Sequence, residues 1–153
     1  MRLTTMTDYA MRLLMYLAHN PDRLCTIAEV ADAYRISEGH LMKIAHLLGQ
    51  AGFLETVRGR NGGIRVAAPL SQVALGAVVR AVEPDFTLVE CFGHQNTCAL
   101  TGYCRLTGIL GGALDGFLAY LDRYTLADLV SHGPPPPSAA PVRLKPRPRP
   151  VPA

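Results

Sequence analysis

Three of the four cysteines in this 153-residue chain fall within fourteen residues. They are Cys91, Cys98 and Cys104, with six and then five residues between them. Thiolates are ligands for soft metals, and such a group in a reduced protein points to metal binding. Zinc sites usually pair cysteines two to four residues apart. The wider intervals here suit a loop that wraps an iron–sulfur cluster. The alternative is three small buried thiols in a loop. His94 lies inside the loop and is either a further ligand or a solvated side chain. Three thiolates leave a fourth iron position to be completed by a carboxylate, a histidine, water or a group from another subunit. An iron left open in this way suits a sensor of small molecules better than an electron carrier. Cys25 stands alone and reads as a packing residue.

A second group of residues could meet nucleic acid. Ser37, His40 and Lys43 fall on the outward face of a predicted helix. Such a helix can enter the major groove and reach base edges and phosphates. Arg58, Arg60 and Asn61 fall on a glycine-rich turn, and an arginine on a thin turn suits the narrow minor groove. Arg65 is either a phosphate contact or a solvated strand residue.

The elements that must position these residues follow from capping and periodicity. Thr5 with Asp8 three residues on has the capping-box pattern, and predicts a helix to about His19 with Ala10, Leu13, Leu14 and Leu17 inward. Thr26 with Glu29 predicts a second helix to Tyr34. The turn Arg35-Ile36-Ser37 leads to a third helix from Glu38 to about Ala51. Its apolar residues Leu41, Ile44, Ala45 and Leu48 share one face. Residues 53–57 and 64–67 read as two short strands around Arg58-Gly59-Arg60-Asn61-Gly62-Gly63, a β-hairpin. Ser71 is expected to cap a helix running to Val82, ended by Pro84. After the cysteine loop, residues 106–124 predict a long helix. Leu110, Leu114, Phe117, Leu121 and Tyr124 step by four and three, a coiled-coil-like seam that predicts burial against a second copy.

The fold class expected is therefore mainly α with a small β-hairpin wing, a winged helix-turn-helix with a long dimerisation helix. We divide the chain into a DNA-binding region over 1–68, the cysteine loop and dimerisation helix over 69–132, and a Pro-rich basic tail over 133–153. The tail holds nine of the twelve prolines together with Arg143, Lys145, Arg147 and Arg149, and no acid. The net charge of +3 thus comes from the tail, and the preceding residues are near neutral. No apolar run is long enough to cross a membrane, and the N-terminus carries no export signal. A cytoplasmic location is expected. No constellation of acid and base groups predicts an enzyme.

These residues also carry a family resemblance. The chain resembles the Rrf2 superfamily of bacterial regulators over about residues 1–130. The matching stretches are Leu3 to Arg12, Ile36-Ser37 to Leu41-Met42-Lys43, Gly59-Arg60-Asn61-Gly62-Gly63, Val89-Glu90-Cys91 to Cys98-Ala99-Leu100, and Cys104-Arg105-Leu106. Within that superfamily it is most similar to the NsrR-type nitric-oxide-sensing repressors. The resemblance implies a winged-helix homodimer on near-palindromic double-stranded DNA. It implies a 4Fe-4S cluster on Cys91, Cys98 and Cys104, with 2Fe-2S as an alternative or degraded form, and Asp8 of the partner subunit as fourth ligand. It implies that nitric oxide attack releases the DNA. The sibling IscR type, which senses cluster supply or redox state, has a histidine three residues after the third cysteine. Thr107 stands at that position here. A zinc-stabilised DNA-binding protein is the reading from a different class.

Overall fold

The computed structural model describes residues 2–93 and 95–131; His94 and the Pro-rich tail lie outside the described residues. Six α-helices and one hairpin follow in the order α1 (Thr5–Ala18), α2 (Ile27–Tyr34), α3 (Glu38–Gln50), β1 (Leu54–Val57), β2 (Gly63–Val66), α4 (Leu75–Val82), α5 (Arg105–Asp122) and α6 (Leu126–Ser131). The fold is mainly helical with a two-stranded antiparallel wing, as expected.

Periodicity decides the core. Leu13, Leu14 and Leu17 of α1, Val30 of α2 and Leu41, Ile44 and Leu48 of α3 are buried together with Leu54, Ile64, Val78 and Leu126. In α1 and α3 these residues fall three and four apart, the spacing that gathers side chains on one face. α2 opens with the capping box expected: the Thr26 hydroxyl accepts from the Glu29 N–H and the Glu29 carboxylate accepts from the Thr26 N–H. The turn into α3 holds Arg35 in the left-handed region, at φ 55°, and buries Ile36. Ser37 then caps α3, its hydroxyl accepting from the His40 N–H at 3.3 Å.

The wing is anchored as well as paired. Glu55 faces Arg65 and Thr56 faces Ile64 across the hairpin. Ile64 and Cys25 also exchange backbone hydrogen bonds of 2.8 and 3.0 Å, so a third short segment backs the wing. A Cβ at Gly63 would come within 2.6 Å of the Cys25 carbonyl oxygen, and that close approach requires glycine. The wing turn needs Gly59 for another reason, its φ of +119°.

Two expectations are corrected. α1 is capped by Thr4, not Thr5: the Thr4 hydroxyl accepts from the Thr7 N–H, and Asp8 lies one residue beyond the capping-box position. Ser71 caps nothing. Residues Leu70–Gln72 form a single 3-10 turn, and α4 starts only at Leu75, where the Leu75 N–H donates to the Tyr124 carbonyl at 2.9 Å. α5 presents two apolar faces of unequal exposure. Leu110, Leu114, Phe117 and Leu121 are half-buried within their own chain, while Leu106, Ile109, Ala113, Gly116 and Tyr120 are exposed. Within one chain the expected seam is therefore the more covered of the two faces, with its last residue, Tyr124, exposed. α4 crosses the C-terminal part of α5 so closely that a Cβ on Gly76 would overlap the Asp122 carboxylate. A bidentate Arg80–Asp122 pair, with both bonds 2.7 Å, holds the same crossing.

Candidate metal centre and nucleic-acid interface

The cysteine loop is built by short polar contacts. The Asn96 side chain accepts from the Cys98 N–H at 3.0 Å and donates to the Thr101 hydroxyl at 2.8 Å. Thr101 in turn donates to the Cys98 carbonyl at 2.7 Å. The Glu90 carboxylate accepts from the Thr97 N–H and hydroxyl at 2.9 and 2.6 Å, which holds that carboxyl below its usual range. Residues beside Cys91 and beside Cys98 are thus tied together without help from a metal. Asn and Thr make such contacts because their short side chains reach nearby backbone groups.

Cys91, Cys98 and Cys104 all line one cavity of about 170 Å³, together with Val89, Leu100, Leu106 and Leu110. All three thiols are free and partly exposed. Cys104 is the N-cap of α5 but closes no capping bond. The N–H groups of Thr107 and Leu106 and the Thr107 hydroxyl nonetheless act on its sulfur and hold the thiol below its ordinary value. That favours the thiolate, the ligating form.

Among the described residues, no three His, Cys, Asp or Glu side chains come close enough to hold one metal ion. A zinc ion at about 2.3 Å from each thiolate would draw the sulfurs to within about 4 Å of one another. The thiols are instead spread around an apolar cavity wall, an arrangement that fits a polynuclear iron–sulfur group. Soft sulfur donors, an apolar surround and a loop already braced are what such a group requires. Asp8 does not line the cavity of its own chain. It lies exposed on α1 and pairs with Arg12 at 2.8 Å. Cys25 is a packing residue, with no exposed surface, and burial pushes its thiol up to about 12.

The residues proposed for DNA lie on the opposite elements. Ser37, His40 and Lys43 are exposed along the first two turns of α3, and Arg58, Arg60 and Asn61 are exposed at the wing tip. Arg12, Arg23, Arg65 and Arg80 each have a carboxylate partner. Arg65 pairs with Glu55 at 2.8 Å across the wing. Lys43, Arg58 and Arg60 have no ion-pair partner among the described residues. A cleft between α3 and the wing is lined by Met42, His46, Gln50, Thr56 and Arg58.

The loop is joined to the head by Glu83, a residue the sequence did not single out. Its carboxylate accepts from the Thr4 N–H and hydroxyl at 3.2 and 3.1 Å, and from the hydroxyl of fully buried Thr7. α4 thus ends on the first turn of α1, and the chain leaves directly for the cysteine loop. An acid before Pro84 carries no sequence signal of a partner 79 residues away.

The model of the Rrf2 family, described as an iron-dependent transcriptional regulator, matches residues 3–132. The chain belongs to the Rrf2 family. It is 48% identical over 134 residues to the HTH-type transcriptional regulator NsrR of Halalkalibacterium halodurans, covering 86% of this chain and 92% of that protein. Identity to the NsrR of Bacillus subtilis is 46% over 134 residues, with the same coverage. Among solved structures, CymR, the global cysteine regulator of B. subtilis, superposes with a TM-score of 0.72 at 21% identity, over 88% of this chain and 99% of that one. IscR of T. potens gives 0.69 at 20% identity, over 86% and 87%. These two carry the fold. With the family and the NsrR relatives, they make this Rrf2 member a winged-helix, DNA-binding transcriptional regulator. No helix among the described residues is long and apolar enough to cross a membrane.

Proposed function

We propose that this regulator is a repressor that senses nitric oxide through a 4Fe-4S cluster held by Cys91, Cys98 and Cys104, and that leaves DNA when the cluster is attacked. The observation that carries the reading is the convergence of those three cysteines on one apolar cavity. A bound cluster supplies an iron that reacts with nitric oxide. The remaining work belongs to the chain. Cys91 and Cys98 grip from the braced loop, and Cys104 grips from the start of α5. Three thiolates leave one iron position open, and Asp8 of the partner subunit fills it; in its own chain Asp8 is exposed and free of capping duty. Glu83 carries displacement of the loop to the first turn of α1, and Tyr9 and His40 carry it to α3. A ligand on α1 gives the head a contact that depends on the state of the site, which is what coupling between two sites requires.

The same reading takes the protein as a homodimer, with the exposed stripe of Leu106, Ile109, Ala113, Gly116 and Tyr120 on α5 meeting its twin. The two heads then read half-sites about one helical turn apart. The deciding experiment is an anaerobic nitric oxide titration followed by visible absorption and DNA binding together. Absorption loss and DNA release should proceed in step. DNA affinity that ignores both nitric oxide and the cysteine site would overturn the proposal.

A further inference from the structure

We propose that Thr107 is a positioning residue of the cysteine site: its hydroxyl donates to the Cys91 thiolate and sets how strongly that ligand gives charge to the iron. The inference rests on the cluster reading above. The Thr107 Oγ1 lies 3.4 Å from the Cys91 Sγ, across sixteen residues of chain. The contact joins the first cysteine of the loop to the helix that starts beside Cys104. All three residues line the cavity.

Two features make the position effective. Thr107 sits in the first turn of α5, so its hydroxyl is placed by a helix and not by the loop. Its surroundings are Val89, Leu106 and Leu110, an apolar wall in which a hydrogen bond is stronger than in water. A helical threonine can satisfy its hydroxyl on a carbonyl one turn back, yet this one is turned to sulfur. A hydrogen bond donated to a ligating thiolate withdraws negative charge from it, stabilises the reduced site and raises its potential.

The test uses the full chain, purified anaerobically, in three forms: wild type, Thr107→Val, which keeps the shape and loses the O–H, and Thr107→Ser, which keeps the O–H. Reduction potential and the rate of iron loss to a chelator are read beside thermal unfolding of the metal-free chain. Thr107→Val should show a lower potential and iron loss on the order of tenfold faster. Thr107→Ser should return both towards wild type, and metal-free unfolding should be the same in all three. Wild-type potential and iron loss in a loaded Thr107→Val overturn the inference alone. Wild-type chain without iron and sulfide overturns the cluster reading and the inference with it. Should Thr107→Val not load, retention of iron by Thr107→Ser supports the inference, and its loss there as well overturns it.

Discussion

The ring of Tyr9 lies 6.3 Å from the ring of His40, inclined at 43°, so the residue next to Asp8 on α1 touches the exposed face of α3. Arg12 completes the group, its guanidinium 5.9 Å over the Tyr9 ring while it pairs with Asp8. Any group that draws on Asp8 therefore disturbs a side chain in contact with α3.

Asp8→Ala separates ligation from simple stability. Thr4 caps α1, so no cap is lost, and the Asp8–Arg12 pair is about half exposed on each side. The expected loss is therefore only about 0.3–0.5 kcal/mol in a urea melt of the metal-free chain. With the cluster in place, the visible spectrum and the nitric oxide response should change. An unchanged spectrum would remove Asp8 from the ligand set.

Two basic residues should fail differently on DNA. Arg60→Ala, at the wing tip, should cost about 1–3 kcal/mol of specific binding. Lys43→Ala should weaken binding to specific and unrelated duplexes alike and lower the salt slope by about 1. Equilibrium binding to both duplexes across a salt series measures each. Full specific affinity in Arg60→Ala would refute the minor-groove assignment.

Glu83→Ala should be destabilising out of proportion to its surface position. It removes the charged partner of the hydroxyl of Thr7, which has no exposed surface, and of the Thr4 N–H and hydroxyl, leaving the two hydroxyls in contact with each other at 3.3 Å. Hydrogen bonds to a charged group contribute about 1.5–3 kcal/mol, and a loss of that order should appear in chemical denaturation. A loss within experimental error would show that α1 does not depend on this tie.

Cys25 predicts a pH dependence. Burial raises its thiol from an ordinary 9.0 to about 12. A raised value means that the folded chain keeps a proton that the unfolded chain gives up. The stabilisation is complete below about pH 9 and is lost as pH rises towards 12, by about 1.4 kcal/mol per unit. Comparing wild type with Cys25→Ala from pH 8 to 10 isolates this slope, and Cys25→Ala should retain the cluster. Parallel stability curves for the two would count against it.

Ile109→Glu tests the open face of α5. The side chain is 64% exposed, so the folded subunit should tolerate the charge. Two such charges facing each other in the dimer should drive it to monomer in analytical ultracentrifugation, with helicity by circular dichroism unchanged. A stable dimer in Ile109→Glu would move the interface elsewhere.

Local rules in the sequence were enough for much of the architecture. Thr26 and Glu29, three residues apart, close a capping box wherever a helix begins there. Leu41, Ile44 and Leu48 can gather only on one face of α3. Gly59 marks a turn because its conformation excludes side chains. The cysteine loop was legible from residue type and interval alone. Tertiary structure decided what depends on distant partners. α5 carries apolar residues at helical spacing on two faces, 110-114-117-121 and 106-109-113-116-120, and spacing cannot rank them. In the folded subunit the first is half-buried and the second is left open. Thr4 and Thr5 are equally good caps by type. Glu83 accepts from the Thr4 backbone and hydroxyl, and the helix begins accordingly. That choice frees the Asp8 carboxylate from capping. Thr107 was conspicuous in the sequence only as a histidine's absence, because its meeting with Cys91 is made by the folded loop and not by the chain between them.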